Sequence, residues 1–383
     1  MTQKVLKESE MSSRKMEILI VPAANHLTIA PGSINSISYH LLSALSNYNE
    51  TFFYAIVNNL DPNVKLNTNI RTFRVGSLVK PPSDFGFLNE LMYPMRYFKC
   101  ASTILRSEKV DIVHHMLPFV YGISYNPIFI LKKTGKWKFV IGPAELPHLF
   151  FYDEFIILSR TKNKLNNLMY SLIFWLRKVE KSTYLRYMFS KTLDKSDILI
   201  AVNEATKKEY SKVMSDKKIR VIPLGVDLNE FKFSEPPLNH DILTVGLHIQ
   251  RKGFDYLIKA MAKILKEYPE ARLHIPSSGP RTDILKALAK DLGIESNVIF
   301  HGYLSRNELL ELYKSCRVFC HPSLSEGFCH TTLEAMATGR PVVSTNTVGS
   351  EMVADKKTGL LVPPADSDAL ADAILKIFSD DEL

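Results

Sequence analysis

The run Ser325-Glu326-Gly327-Phe328-Cys329-His330-Thr331-Thr332-Leu333-Glu334-Ala335 sets two glutamates on either side of a glycine turn. It follows an apolar, β-rich stretch and leads into a helical stretch that ends at Gly339 and is closed off by Pro341. A glycine loop entering a helix presents free backbone N–H groups and the positive end of the helix dipole, which suits a diphosphate. Glu334 can accept hydrogen bonds from a ribose diol, and Glu326 stands before Gly327, where the chain can approach a ligand closely. A plainer reading competes: Thr331-x-x-Glu334 is also a capping box, in which the glutamate only satisfies amides at the helix start.

A second feature gives that reading context. Gln250-Arg251-Lys252-Gly253-Phe254 follows an apolar run that ends at Gly246. Arg as a bidentate fork and Lys as a point charge can together neutralise phosphate. A basic pair in a loop is ordinarily just solvated. Here both features follow strands of one domain, which places them on one rim.

The elements that must position these residues alternate along the chain. Short β-rich runs lie at 17–21, 52–57, 72–75, 111–114, 139–142 and 198–202, with helical stretches such as 34–46 and 87–106 between them. The second half repeats the rhythm with strands at 242–246, 272–275, 298–301, 318–321 and 342–344, and helices at 254–266, 283–292, 306–314 and 368–378. Such alternation predicts a parallel sheet covered on both faces, twice over, an α/β architecture of two doubly wound, Rossmann-like domains facing across a cleft. Periodicity lapses near 223–237, where Pro, Gly and Asp punctuate the chain. We therefore expect a flexible arm at 1–15, a first domain at 16–222, a linker at 223–240 and a second domain at 241–383. Ligands in open α/β sheets bind at the carboxyl ends of the strands.

These segments together resemble glycosyltransferase family 4, the large retaining group with the GT-B fold within the group 1 glycosyltransferases. Matching stretches run from Glu17 to about Leu375. They include Pro31-Gly32-Ser33, Pro223-Leu224-Gly225-Val226-Asp227, Arg251-Lys252-Gly253, His301-Gly302-Tyr303, the run from Glu326 to Glu334 with Leu333-Glu334-Ala335-Met336-Ala337, and Gly339-Arg340-Pro341-Val342-Val343. The resemblance implies that Lys252, with Arg251, holds the donor diphosphate as it leaves. Glu334 would bind the ribose and Glu326 the donor sugar, with Gly327, Phe328, Cys329, His330 and Thr331 lining the donor site. Gly32 would let its loop approach donor and acceptor, and Gly302 and Tyr303 would help receive the base. In Asp111-Ile112-Val113-His114-His115 a histidine would face the transferred sugar; adjacent strand residues point to opposite faces, and His114 is favoured over His115. Glu145 and His248 are secondary candidates.

The sequence also departs from that pattern. Leu247 stands where members often carry Arg, which leaves Arg251 or His248 to supply the charge. Ser277, in Pro276-Ser277-Ser278-Gly279-Pro280, occupies a usual glycine position, and Cys329 replaces a common glycine. The chain stops at Leu383, before the long helix that normally crosses back to the first domain, so a C-terminal truncation is expected.

The chemistry implied is retaining transfer from a UDP- or GDP-linked sugar to a glycan or lipid-linked acceptor, with orientation and electrostatic stabilisation of the departing phosphate as the protein's main contributions. Basic side chains would substitute for a metal, and no cofactor is expected. Asp366-Ser367-Asp368 has the spacing of a metal motif but falls at the cap of the last helix, where both acids favour the dipole. The alternatives are a sugar-nucleotide-binding protein that has lost catalysis, and a nucleotide-sugar epimerase or hydrolase, which would need further acid–base carboxylates. An oxidoreductase is disfavoured because no G-x-G-x-x-G follows a strand.

Composition bounds the remaining readings. With 46% hydrophobic and 23% charged residues, each half of the chain can bury a core. No run of eighteen apolar residues marks a transmembrane helix, and 1–15 lacks a signal-peptide core. The cysteines, Cys100, Cys316, Cys320 and Cys329, form no CxxC pair and read as reduced structural thiols. The formal net charge is +8, and nine of the basic residues lie between Arg160 and Lys195 against only Glu180 and Asp194. Leu165, Leu168, Met169, Leu172, Ile173 and Leu176 follow helical spacing there. Segment 160–195 could therefore rest on an anionic membrane surface or pack on the domain core with a solvated basic face. No recognition motif supports nucleic-acid binding. We expect a cytoplasmic protein, peripheral on the membrane's inner face if that segment binds lipid.

Overall fold

The computed structural model describes residues 15–27, 34–48, 50–62, 64–75, 86–116, 119–120, 126–133, 135–145, 184–353 and 355–380. They fall into two compact units, one within Met1–Pro147 and Ile173–Ile222, the other including Pro223–Leu383.

The first unit carries β1 (Met16–Leu27), β2 (Thr51–Leu60), β3 (Ile70–Arg74), β4 (Ile112–His115), β5 (Phe119–Val120), β6 (Lys138–Glu145), β7 (Ile198–Ala201) and β8 (Ile219–Val221). Its helices are α1 (Ile34–Leu45), α2 (Gly86–Ser107), α3 (Tyr184–Lys195) and α4 (Glu204–Tyr210). The sheet is parallel, in the order β3-β2-β1-β4-β6-β7-β8, with β5 paired to β6. Successive residues of β1 serve opposite cores. Leu19 and Val21 join Tyr54, Val113, Phe139 and Leu199 on one face, while Ile20 and Ala23 join Phe53, Ala55 and Leu42 of α1 on the other. A strand buried on both sides is a near-continuous apolar run for this reason.

The second unit repeats the plan with β9 (Asp241–Leu243), β10 (Arg272–Pro276), β11 (Val298–Gly302), β12 (Val318–His321), β13 (Val342–Thr345) and β14 (Leu360–Val362). They form a parallel sheet in the order β11-β10-β9-β12-β13-β14. Its helices are α5 (Phe254–Ile264), α6 (Thr282–Asp291), α7 (Arg306–Ser315), α8 (His330–Ala337) and α9 (Ser367–Ser379). Ile242, Leu273 and Ile275 face α5 and α9, whereas Leu243 and Phe319 face Phe231 and Tyr313.

Strand order decides where a ligand can enter. The chain leaves β9 toward β10 on one side and leaves β12 toward β13 on the other, so two adjacent strands send their following loops apart. That opens a crevice at their carboxyl ends. The same reversal occurs between β1 and β4 in the first unit.

All eleven strands expected from sequence are present. The two-residue β5 and the three-residue β8 and β14 were not anticipated. Asp366 caps α9 by accepting from the Ala369 amide at 2.9 Å, as the dipole argument requires. The described cysteines are free, and burial pushes the Cys316 thiol up to about 12, which makes it unreactive. Among the described residues no helix is long and apolar enough to cross a membrane. The apolar stripe at 165–176, like Gly32, lies outside the described residues. Of the basic segment only α3 is described, with Met188, Phe189 and Leu193 buried.

Candidate functional site

The loops after β9 and β12 meet in the second unit's crevice. The first loop tightens into a 3-10 turn at Gln250–Lys252 and enters α5 through Gly253, whose φ of 64° lies in the left-handed region. A Cβ there would stand 2.1 Å from the Pro322 carbonyl oxygen, so only glycine allows the loops to close on each other. The Leu324 amide then donates to the Arg251 carbonyl at 2.8 Å, and Arg251 Nη1 donates to the Ser325 carbonyl at 3.0 Å.

This closure gathers three charges. Arg251 Nη1 lies 2.8 Å from Glu326 Oε1, and Lys252 Nζ lies 2.6 Å from Glu326 Oε2. Gly349 lets the chain pass close to Glu326, where a Cβ would be 3.0 Å from that of Glu326 and from its carbonyl oxygen. Glu326 is only 4% exposed. Burial opposes its ionisation, but Lys252, His321 and Arg251 outweigh that and hold the carboxyl well below the usual range. Two cations against one carboxylate leave the cluster one positive charge in excess, the sign a diphosphate needs.

Glu334 is placed differently from the capping-box reading. Helix α8 starts at His330 with Cys329 as its N-cap, so Thr331 lies inside the helix and Glu334 beyond its first turn. The carboxylate instead accepts from the Tyr313 hydroxyl at 2.8 Å and Arg306 Nη1 at 3.1 Å, with His330 Nδ1 at 3.5 Å. Burial opposes its ionisation and these partners, His330 foremost, favour it, with the net effect of lowering its pKa. The amides entering the helix are partly used: Cys329 N donates to the Gly349 carbonyl at 3.3 Å and His330 N to that of Phe328 at 3.2 Å.

Sequence reasoning missed Arg306, Tyr313 and Glu230. One signal was available. Arg306 is the first residue of α7, where a cation opposes the helix dipole, and an arginine there needs anionic partners. Glu230 supplies one, with Oε1 2.6 Å from Arg306 Nε and Oε2 2.9 Å from Nη2.

The other candidates scatter. Tyr303 follows β11 and is 76% exposed. His248 is buried beneath the turn at 276–282, donating from Nε2 to the Pro276 carbonyl at 3.3 Å and accepting at Nδ1 from the Thr282 hydroxyl at 2.9 Å. Burial, with help from Lys286, lowers its pKa. A buried, neutral His248 therefore does not supply a charge in place of Leu247.

Ser277 adopts φ 79°, the left-handed conformation that the usual glycine takes freely. Ser277→Gly is expected to stabilise the second unit by about 0.5–1 kcal/mol, the relief of strain being partly offset by a freer unfolded chain. A rise of about 1–4 °C in its thermal midpoint would show this.

In the first unit, the two histidines at the end of β4 diverge as alternation requires. His115 is buried and accepts at Nδ1 from the side-chain amide of Asn126 at 3.1 Å; the same amide donates to the Val21 carbonyl at 2.8 Å. His114, on the opposite face, donates from Nε2 to the Gly142 carbonyl at 3.0 Å, which leaves Nδ1 as the unprotonated nitrogen. Burial lowers its pKa to about 4, against that hydrogen bond. A depressed histidine contributes stability that is present above the unfolded value near 6.5 and is lost as pH falls toward 4. The variant His114→Gln is accordingly expected to lose less stability than the parent between pH 7.5 and 5, as read by denaturant midpoints. Glu145 ends β6, and its side chain lies outside the described residues. Among the described residues, no group of three His, Cys, Asp or Glu is arranged to hold a metal ion.

Known proteins share both the second unit and the fold. The family model for glycosyl transferases group 1 matches residues 227–383. An uncharacterized glycosyltransferase of Methanocaldococcus jannaschii is 34% identical over 199 residues, 48% of this chain and 51% of the relative. The D-inositol 3-phosphate glycosyltransferase of Corynebacterium urealyticum is 32% identical over 213 residues, 50% of each chain. The chain thus spans about half the length of these curated relatives. Among solved structures, the sucrose-phosphate synthase of Thermosynechococcus elongatus superposes with a TM-score of 0.67 at 20% identity, covering 96% of this chain and 91% of that one. Residues 227–383 are thus similar to the group 1 glycosyltransferases, and the chain carries the GT-B type of fold, two Rossmann-like parallel-sheet units.

Proposed function

We propose that this protein is a retaining glycosyltransferase of family 4 that moves a sugar from a nucleoside diphosphate sugar to a glycan or lipid-linked acceptor without a metal. The observation that carries the reading is the cluster of Arg251, Lys252 and Glu326 at the second unit's switch point, with Glu334 in the helix that follows the same loop. In the proposed reaction, the bond between the anomeric carbon and the diphosphate oxygen breaks as the acceptor oxygen bonds that carbon on the same face. The acceptor's proton passes to the departing phosphate. Lys252 and Arg251 stabilise the negative charge that develops on the leaving group. Glu326 holds both cations in place and contacts the sugar, while Glu334 takes the ribose hydroxyls. His114 is assigned to the transferred sugar, as a neutral hydrogen-bonding group.

Leaving-group stabilisation by fixed cations makes a direct prediction. Transfer should continue at an undiminished rate in excess EDTA, after exhaustive dialysis against chelator. A rate abolished by EDTA and restored by magnesium or manganese would assign that task to a metal instead. Attachment to an anionic membrane through 160–195 belongs to the same proposal, supported by the charge of that segment. Its check is sedimentation with phosphatidylglycerol vesicles.

A further inference from the structure

Glu230 lies in the segment that follows the first unit, at some distance in sequence from any donor-site motif. Its position is nevertheless fixed. The Asp227 side chain accepts from the Asn229 amide at 2.8 Å, and its carbonyl accepts from the amides of Glu230 at 3.1 Å and Phe231 at 2.8 Å. Phe231, 1% exposed, is anchored in the apolar cluster with Tyr313 and Phe319. The Arg306 guanidinium stacks over the Phe231 ring, 4.5 Å from its centroid. Glu230 grips that guanidinium through two parallel bonds, the geometry that fixes a planar fork most firmly. The nitrogen left to reach across is Nη1, and it points at Glu334 Oε1.

From this geometry we infer that Glu230, acting through Arg306, is a positioning residue that sets the orientation of the Glu334 carboxylate for a ribose diol. A carboxylate has about four acceptor positions. Arg306 and Tyr313 occupy one on each oxygen of Glu334, with His330 Nδ1 at 3.5 Å from Oε1. The remaining lone pairs are directed by those partners, so two neighbouring hydroxyls of one sugar can be met only in a defined orientation. A site built to hydrogen-bond a hydroxyl also discriminates strongly against the analogue that lacks it. The carboxylate stays ionised under burial because its partners favour the charged form. The inference rests on the proposed role of Glu334 and extends it to a residue that precedes β9.

The test is calorimetric titration of UDP and GDP, each beside its 2′-deoxy counterpart, into the full-length parent, Glu230→Gln and Arg306→Lys. The parent is expected to bind one ribonucleotide more tightly than its deoxy form. Glu230→Gln should weaken the ribonucleotide about 10-fold, the scale of one charge-assisted hydrogen bond, and the deoxy form less than about twofold. Arg306→Lys, which keeps the charge but not the fork, should narrow the ratio in the same way if Glu230→Gln folds poorly. A ribose preference retained in both variants, or equal weakening of both nucleotides, would overturn the coupling while leaving the ribose site standing. No nucleotide binding, or no ribose preference in the parent, would overturn the role of Glu334 and the inference with it.

Discussion

Lys252→Ala is expected to lower sugar transfer by about 10²–10³-fold, the usual consequence of removing one fixed donor from a developing anion. The loss should fall chiefly on kcat, because charge on the leaving diphosphate grows as the sugar–phosphate bond breaks. The fold should tolerate the change. Glu326 keeps Arg251 at 2.8 Å as a partner, and Lys252 packs along Gly246 at the crevice rather than in the apolar core. Steady-state kinetics at saturating donor, with circular dichroism as the folding control, would check this. A loss of less than tenfold would remove Lys252 from the leaving-group role and leave Arg251 as the main cation.

Glu326→Ala is expected to cost about 3–5 kcal/mol of stability in addition to activity, because breaking a buried ion pair from one side strands the other charges. Here two cations lose their shared partner at a position only 4% exposed. The contrast with Lys252→Ala is therefore diagnostic: one variant is stable and slow, the other slow and unstable. The parent's pH dependence follows from the same pairing. A carboxyl held below its ordinary value contributes stability that is present above about 4.5 and disappears as pH falls through the folded value. Denaturant unfolding at neutral pH measures the mutational loss. A change under 1 kcal/mol would mean that water reaches both cations and that the cluster is not the closed unit described.

Much of this arrangement was legible in the sequence because it depends on local pattern. Apolar runs with β-branched residues mark eleven of the strands, and Arg251, Lys252 and Glu326 each follow one of them. That is enough to place them on one rim before any contact is known. What could not be read was mutual contact among residues remote in sequence. Glu230 and Arg306 are separated by 76 positions, and Glu230 looks like any solvated acid in a linker. The part played by Glu334 was ambiguous for a related reason. Thr331-x-x-Glu334 fits a capping box by spacing, but α8 begins at His330, with Cys329 as its N-cap donating its amide to the Gly349 carbonyl, a contact remote in sequence. His248 misled by position alone, since adjacency to the missing arginine says nothing about which way a ring turns. Its burial under the turn at 276–282 follows from the close approach of Gly279, where a Cβ would lie 2.6 Å from the His248 carbonyl oxygen.

The central claim is that the crevice after β9 and β12 activates a sugar nucleotide for transfer. Its most direct test is incubation of the full-length protein with a panel of labelled UDP- and GDP-sugars and a lipid extract, following nucleotide release together with label in the product. One donor is expected to transfer its label to an acceptor with equal nucleotide release, and both signals are expected to collapse in Lys252→Ala and Glu334→Ala. Tight donor binding with no transfer to any acceptor, or turnover unaffected by those substitutions, would contradict it.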